Sequence, residues 1–268
     1  MKIYHYTDLN GFKGIIENHS LWATNLFFLN DEVEVRHGIT AFTSALNYLQ
    51  DDLDQYLIDA LHQSMDEFSK LSEKNSYNIS FCQNPDLLSQ WRGYASTQGV
   101  CLEFDSKELE DSLDFDGATF ISNNVFYTKP DSTLEAKDEI LRFLKNIDRR
   151  KYKPNLFLDW VVASSLLKSL IPFFKHISFK EESEYRIVVQ PEFENTKVKF
   201  RLNNHGLIPY LDIKAKENNA HCGRLPLKSV KIGPCKNRDF VAEGIKSFLL
   251  CHGYKDTKCS FTDATFRV

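Results

Sequence analysis

Residues 2–7 read Lys-Ile-Tyr-His-Tyr-Thr, and their alternation predicts a β-strand at the start of the chain. Asp8 follows directly and is a preferred N-cap residue, so we expect a helix from there to about Asn18. Residues 21–24, Leu-Trp-Ala-Thr, predict a second, short strand. The chain therefore opens with a strand, a helix and a strand.

Two longer helical segments are expected between the later strands. The first lies near 31–71: one helix starts within 30–34, where Asp31 and Glu34 have capping-box spacing, and another runs from about 51 to 71. The second lies near 133–174, with helices over 133–149 and 155–174. Further helices are expected over 87–95, as a short helix or ordered loop, and over 237–251. Strands are predicted at 78–82, 99–104, 124–127, 184–190, 198–202, 208–214, 230–232 and 259–261.

Strands dominate both ends of the chain, and the helices are inserted between them. No internal repeat and no Gly/Ser-rich or Pro-rich linker divides the sequence. We therefore predict a single α+β domain over residues 1–268, with a mixed β-sheet core and helical insertions near 31–71 and 133–174.

The composition is typical of a globular protein with a good core. The 268 residues are 42% hydrophobic and 26% charged, and the formal net charge is −4. This charge provides no overall basic field to attract nucleic acid. No apolar run reaches about 18 residues, and no charged-then-apolar leader opens the chain. We expect a cytoplasmic protein with no membrane contact.

The six cysteines do not form a recognisable metal motif. They lack CxxC spacing, and buried thiols are the usual state of cysteines in a cytosolic protein. A zinc site from Cys222, Cys235, Cys251 or Cys259 with His221 or His252 would match no usual pattern. No metal site is therefore expected.

Two polar motifs at opposite ends of the chain are candidates for chemistry. His5 is either a core histidine bonded to a backbone carbonyl or a donor to a ligand hydroxyl or phosphate. Glu182 and Glu184 would share one face of a strand, and two adjacent carboxylates require a cation or a raised pKa. Arg186 would share that face and is a candidate ion-pair partner. A solvated sheet edge is the alternative interpretation of the pair.

A third candidate is Ser80 together with the segment that contains Trp91, Arg92 and Tyr94. The two rings can stack on a base or on nicotinamide, and the guanidinium can bind a phosphate. The alternative is that the Trp and Tyr rings anchor a loop onto the core.

Short motifs follow one another along most of the chain: Tyr-His-Tyr-Thr (4–7), Leu-Trp-Ala-Thr (21–24), Asn30-Asp31 with Glu34, Ile-Ser-Phe-Cys (79–82), Trp91 with Tyr94-Ala95, Gly-Val-Cys-Leu (99–102) and Glu-Tyr-Arg-Ile (184–187). This order resembles an uncharacterised bacterial family that is sometimes linked to phage defence. The opening and the late glutamate motif are also similar to ADP-ribosyltransferases of the histidine–tyrosine–glutamate kind. The resemblance implies the ADP-ribosyltransferase fold, with NAD as co-substrate.

The resemblance also implies residue roles. His5 would bind the ribose of NAD, Glu184 would stabilise the ribosyl oxocarbenium ion, and Glu182 would orient the acceptor. Tyr94 or Trp91 would stack on the nicotinamide. The Ser-Thr-Ser motif of some transferases is absent, and the central tyrosine of the triad has no assigned counterpart. The implied NAD-binding residues are His5, Tyr6, Thr7, Ser80, Trp91, Arg92 and Tyr94.

These roles imply an NAD-dependent mono-ADP-ribosyltransferase that acts as a bacterial defence effector or toxin. Its acceptor would be nucleic acid or protein, and an antitoxin or chaperone would be a partner. An NAD glycohydrolase is a close variant. The residues also permit a non-catalytic nucleic-acid or nucleotide-binding module, or a structural subunit of a defence system.

Overall fold

Strands and helices are mixed along the whole chain in the computed structural model, which describes residues 1–29, 34–95, 98–115, 117–129, 133–145, 156–191, 198–203 and 206–264. The strands are β1 Lys2–Asp8, β2 Ser20–Asn25, β3 Tyr77–Cys82, β4 Gly99–Asp105, β5 Ala118–Asn124, β6 Phe126–Thr128, β7 Phe174–His176, β8 Glu184–Pro191, β9 Lys199–Asn203, β10 Gly206–Lys214, β11 Ser229–Ile232 and β12 Lys258–Phe261. The helices are α1 Leu9–Asn18, α2 Glu34–Tyr48, α3 Gln55–Asn75, α4 Leu88–Tyr94, α5 Ser106–Ser112, α6 Thr133–Lys145, α7 Leu156–Leu170 and α8 Arg238–Cys251.

The predicted α+β class with a mixed sheet is confirmed. The main sheet has the order β12-β11-β4-β1-β3-β2-β10-β9, and β8 and β5 branch from β3. Most neighbouring strands are antiparallel, whereas β11 and β12 are parallel, as are β6 and β7 in a separate small sheet.

The sheet forks at β3. One edge of β3 pairs with β8 over its full length, from Tyr77 to Cys82. On the other edge, β1 pairs only at Cys82 and β2 pairs only at Tyr77 and Asn78. In the described part of the chain, residues 79–81 therefore have no strand partner on that edge. The fork leaves a gap in the middle of the sheet, between β1 and β2.

The opening of the chain folds as predicted. An Asp8 carboxylate oxygen accepts from the Gly11 N–H at 2.7 Å and caps α1. Phe12, Ile15 and Ile16 on the inner face of α1 are buried against the sheet. These contacts fix the position of β1 relative to β2, the two strands that border the fork.

The long helices α2, α3, α6 and α7 form a second hydrophobic core beside the sheet. Helix α7 ends four residues earlier than the predicted helix over 155–174. Pro172 lacks an N–H and its ring clashes with helical geometry, so α7 ends at Leu170 and a 3-10 turn covers Ile171–Phe173. Strand β7 then begins at Phe174 and carries the chain from the helices toward the fork.

The start of α3 also differs from the prediction. Helix α3 begins at Gln55 rather than at about 51, because the Asp54 carboxylate accepts from the Leu57 N–H at 3.1 Å and caps the helix there. The expected capping box at Asp31 lies outside the described residues, as do residues 146–155. None of the described helices is long and apolar enough to cross a bilayer.

A substitution at Gly99 can test the packing at the start of β4. An added Cβ would lie 2.6 Å from the Thr7 carbonyl oxygen, a backbone atom that cannot move without disturbing β1. We expect Gly99→Ala to lower the free energy of unfolding by about 2 kcal/mol, measured by urea denaturation.

Gly244, inside α8, is the matched control, because a Cβ there meets no atom within 4 Å. Gly244→Ala should raise the free energy of unfolding by about 1 kcal/mol through helix propensity. Equal effects of the two substitutions would contradict the close approach of β4 to β1.

Candidate functional site

A cavity of about 900 Å³ opens at the fork of the sheet. Its walls come from β1, β2, β3, β8, β9, helix α4 and the segment around β7. Residues that line it include His5, Ser80, Tyr94, Glu182, Glu184 and Arg201. The fork therefore brings together the two candidate motifs, which lie far apart in the sequence.

His5 lies on β1 and points across the gap to β3. Its Nδ1 is 3.0 Å from the Ser80 carbonyl oxygen, on the edge of β3 that has no strand partner. A carbonyl oxygen only accepts, so Nδ1 carries the proton and Nε2 of the neutral ring is an acceptor. The side chain thus satisfies a backbone group of the fork and leaves one acceptor nitrogen.

The His5 ring is held in its neutral form. Burial lowers the pKa of His5, the hydrogen bond to Ser80 raises it, and the charge of Arg201 lowers it further. Burial is the largest of these effects, so His5 is uncharged at neutral pH. Its Nε2 is then available to accept a hydrogen bond or a proton from a ligand.

The two glutamates do not share a strand face, contrary to the sequence prediction. Glu182 ends a 3-10 turn over Ile177–Glu182, and Ser183 adopts a left-handed conformation with φ 42°. Glu184 is the first residue of β8. The turn nevertheless directs both carboxylates to one cation, Lys175 on β7.

Glu184 is enclosed by cations. It is 5% exposed, and the Arg186 guanidinium, 2% exposed, donates to both of its oxygens at 2.8 Å. Lys175 Nζ donates to Glu184 Oε2 at 3.0 Å. Burial raises the pKa of Glu184, while the Lys175 charge and a hydrogen bond from Ser80 act in the opposite direction. Two cations in direct contact keep this carboxylate ionised.

Glu182 has a more open environment. Lys175 Nζ donates to Glu182 Oε2 at 2.7 Å, and the Glu182 side chain is 19% exposed. The two carboxylates raise the pKa of Lys175, against the effect of its burial. With two acidic and two basic side chains, the cluster of Glu182, Glu184, Lys175 and Arg186 is electrically neutral.

Ser80, on β3, lies next to this cluster, and its hydroxyl lowers the pKa of Glu184. The Ser80 hydroxyl oxygen accepts from Asn78 Nδ2 at 2.7 Å. The Asn78 Oδ1 therefore lies on the opposite side of the amide. That oxygen is buried and has no partner among the described residues.

The other predicted residues divide into two groups. Tyr6, Thr7 and Tyr94 line the cavity, and Tyr94 is 42% exposed. Trp91 is 0% exposed; it packs against Tyr6, and its indole N–H donates to Asp86 at 2.7 Å. Its ring is therefore part of the core. Arg92 does not line the cavity either. Of the two aromatic rings in this segment, Tyr94 is therefore the one that a ligand can contact.

Three cavity residues were missed from the sequence. Lys175 directly follows the predicted helix over 155–174, and the alternation that would have marked it spans only the three residues of β7. Asn78 resembled an ordinary strand polar residue. Arg201, on β9, lies among apolar residues that suggest a simple hairpin. In the described residues no group of three or more His, Cys, Asp or Glu side chains is arranged to hold a metal ion.

The buried ion pair gives a stability prediction. Glu184→Gln removes the charge that neutralises Arg186, and we expect the free energy of unfolding to fall by about 3 kcal/mol in urea denaturation. The control is Glu17→Gln, which breaks an exposed pair with Lys13 and should change it by less than about 1 kcal/mol. Similar losses in both variants would contradict the enclosed geometry of Glu184.

His5 gives a pH prediction. Its pKa in the folded state is below the ordinary 6.5, so only the unfolded chain binds a proton just below that pH. Stability should therefore decline as pH falls through 6.5. In His5→Asn, whose amide N–H can replace Nδ1 as donor to Ser80, this contribution disappears. Urea midpoints at pH 7 and pH 5 measure it, and an identical decline in wild type and variant would contradict the assignment.

Comparison with known proteins relates part of this site to a family. Residues 90–187 match the model of a family described as a protein of unknown function (DUF2971). No curated protein and no solved structure matches the chain. The matched segment contains Lys175, Glu182, Glu184 and Arg186, and it ends before Arg201 and begins after His5. The chain is thus similar to an uncharacterised family over the segment that carries the charged cluster.

Proposed function

We propose that this protein is an NAD-dependent mono-ADP-ribosyltransferase that acts as a defence effector or toxin. The observation that carries the proposal is the placement of His5 and of the Glu182–Glu184 pair on the walls of one cavity. The volume of about 900 Å³ is near the upper end of the range for small-molecule sites and is adequate for a dinucleotide.

His5 is proposed to bind the ribose. Its Nε2 is an acceptor because Nδ1 is committed to the Ser80 carbonyl. A sugar hydroxyl is a suitable donor to such a nitrogen. Since the ring is fixed to the backbone of β3, it would hold the sugar without a change of rotamer, and this preorganisation favours reaction.

The carboxylates are proposed to stabilise positive charge on the ribose. Cleavage breaks the bond from C1′ to the nicotinamide nitrogen, and the electron pair leaves with neutral nicotinamide. The positive charge moves to the ribose, and the acceptor then supplies an electron pair to C1′ and releases a proton. A carboxylate near C1′ lowers the energy of this transition state.

We assign the direct contact with the ribose to Glu182. Glu184 already accepts from Arg186 twice and from Lys175, which leaves its oxygens little capacity for a ligand hydroxyl. Among the described residues, Glu182 accepts from one cation, Lys175, and it lines the cavity. In this proposal Glu184 positions Lys175 and Arg186, and Tyr94 supplies the ring for the nicotinamide.

The enclosure of Glu184 also supports a second candidate function. A carboxylate neutralised by two cations is typical of a structural ion pair, and a site built on such a pair can bind a nucleotide without cleaving it. The protein would then be a nucleotide-binding module. This candidate predicts that NAD binds and is recovered intact.

The test is NAD consumption by purified protein, with labelled NAD and separate additions of DNA, RNA and cell protein as acceptors. We expect label transfer to one acceptor class and a decrease of 10²- to 10³-fold in rate for Glu182→Gln. Free ADP-ribose as sole product would identify an NAD glycohydrolase.

Glu181→Gln is the matched control, since this neighbouring glutamate is exposed and does not line the cavity. It should retain the wild-type rate. If wild-type protein leaves NAD intact with every acceptor, the transferase proposal fails, and bound intact NAD would favour the binding module.

A further inference from the structure

Arg201 differs in its partners from Arg186, the buried arginine of the cavity. Arg186 donates to both oxygens of the Glu184 carboxylate, through Nε and Nη2. Arg201 lies on β9, on the other side of β3, and lines the same cavity. No described carboxylate lies within ion-pair distance of Arg201. A guanidinium in a partly buried position without an anion is costly, unless an anion binds there.

The Asp8 carboxylate on β1 acts on Arg201 through its charge without forming an ion pair, and Asp212 on β10 is bonded to another cation. Lys199, two residues before Arg201 on the same face of β9, donates to Asp212 Oδ2 at 2.6 Å. Arg201 Nη2 instead donates to the Thr24 hydroxyl oxygen at 3.0 Å. Its Nε is buried and has no acceptor among the described residues. Burial lowers the pKa of Arg201, and the charges of Tyr210 and Asp8 act in the opposite direction without reversing it.

The guanidinium is nevertheless held in place. Its central carbon lies 5.5 Å from the centre of the Trp22 ring, and that ring packs against Tyr210 at 4.8 Å. Stacking on Trp22 and the bond to Thr24 fix its plane before any ligand arrives. A planar, fixed guanidinium is well suited to bind phosphate oxygens.

A complementary acceptor lies beside it. Thr24, which accepts from Arg201, is paired in the sheet with Asn78. Asn78 Nδ2 donates to Ser80, and Asn78 Oδ1 is buried without a partner among the described residues. Two residues of the cavity wall next to Thr24 thus each carry a buried polar atom without a partner, a donor on the cation Arg201 and a neutral acceptor on Asn78.

We propose that Arg201 and Asn78 form a binding site for a phosphorylated sugar. The phosphate binds the Arg201 guanidinium, and a sugar hydroxyl donates to Asn78 Oδ1. This pairing selects ligands in which an anionic phosphate lies close to a hydroxyl, as in nucleotides and sugar phosphates. The site rests on β3 and β9 and does not require NAD cleavage; if NAD is the substrate, the same residues hold its phosphorylated ribose.

The experiment is calorimetric titration of the full chain with ADP, with adenosine, which lacks the phosphates, and with inorganic phosphate. We expect wild-type protein to bind ADP at least tenfold more tightly than adenosine. Arg201→Gln should remove this difference and leave adenosine binding unchanged, and Arg201→Lys should retain part of it because the charge remains. Phosphate alone should compete with ADP.

Arg238→Gln is the matched control. Arg238 also stacks on an aromatic ring, Phe261, at 5.2 Å, but it is exposed and does not line the cavity. Its loss should not change ADP binding. The proposal is overturned if wild type does not bind ADP at millimolar concentration, or if Arg201→Gln leaves ADP affinity unchanged. It is also overturned if Arg201→Gln weakens ADP and adenosine equally, which indicates a merely structural role.

The same proteins separate this proposal from the transferase proposal. The ADP affinity of Arg201→Gln reports on the phosphate site, and the NAD consumption of Glu182→Gln reports on the transferase reaction. If ADP binding depends on Arg201 but wild type consumes no NAD, the phosphate site stands and the transferase proposal fails. If NAD is consumed and Arg201→Gln has the wild-type KM, the phosphate site is wrong and the transferase proposal stands.

Discussion

The bidentate pair between Arg186 and Glu184 determines how the rest of the site is arranged. Both side chains are almost completely buried at the start of β8, where an unpaired charge would be strongly unfavourable. Arg186 also donates to the Pro172 carbonyl at 2.5 Å, which fixes the 3-10 turn after α7. That turn sets the start of β7, and β7 places Lys175 between the two glutamates. A single ion pair therefore connects the sheet, the helical core and the cavity.

The fork of the sheet supplies the space that this ion pair needs. A regular ladder would have covered the edge of β3 with another strand and would have filled the position that His5 now occupies. Instead, β1 and β2 each pair with one end of β3, and a side-chain nitrogen replaces the missing backbone donor at Ser80. The sheet thereby keeps its hydrogen bonds while it opens a cavity between neighbouring strands.

The local pattern of the sequence was sufficient for much of the fold. The strand at 2–7, the cap at Asp8 and the α+β class depend on neighbouring residues, and they were predicted correctly. The joint placement of His5 and Glu184 in one cavity was suggested by two polar motifs on predicted strands, but no local signal shows that β3 will separate two strands. The sequence also could not decide whether the Trp91 ring binds a ligand or packs in the core. That choice depends on its contacts with Asp86 and Tyr6 in the folded protein. The role of Arg201 depends on Thr24, far away in the sequence, and the role of Lys175 depends on a 3-10 turn that no sequence pattern marked.

The bond from Arg186 to Pro172 has a consequence for the engineering of this fold. Pro172 and Lys175 lie in the segment that leads from α7 into β7, so one of the two cations of the buried Glu184 carboxylate is supplied from the helical side of the molecule. An isolated sheet, trimmed of the helices and of β7, would retain two acidic side chains and only one of their cations. A minimised version of the protein must therefore include both the helical insertion and the charged cluster.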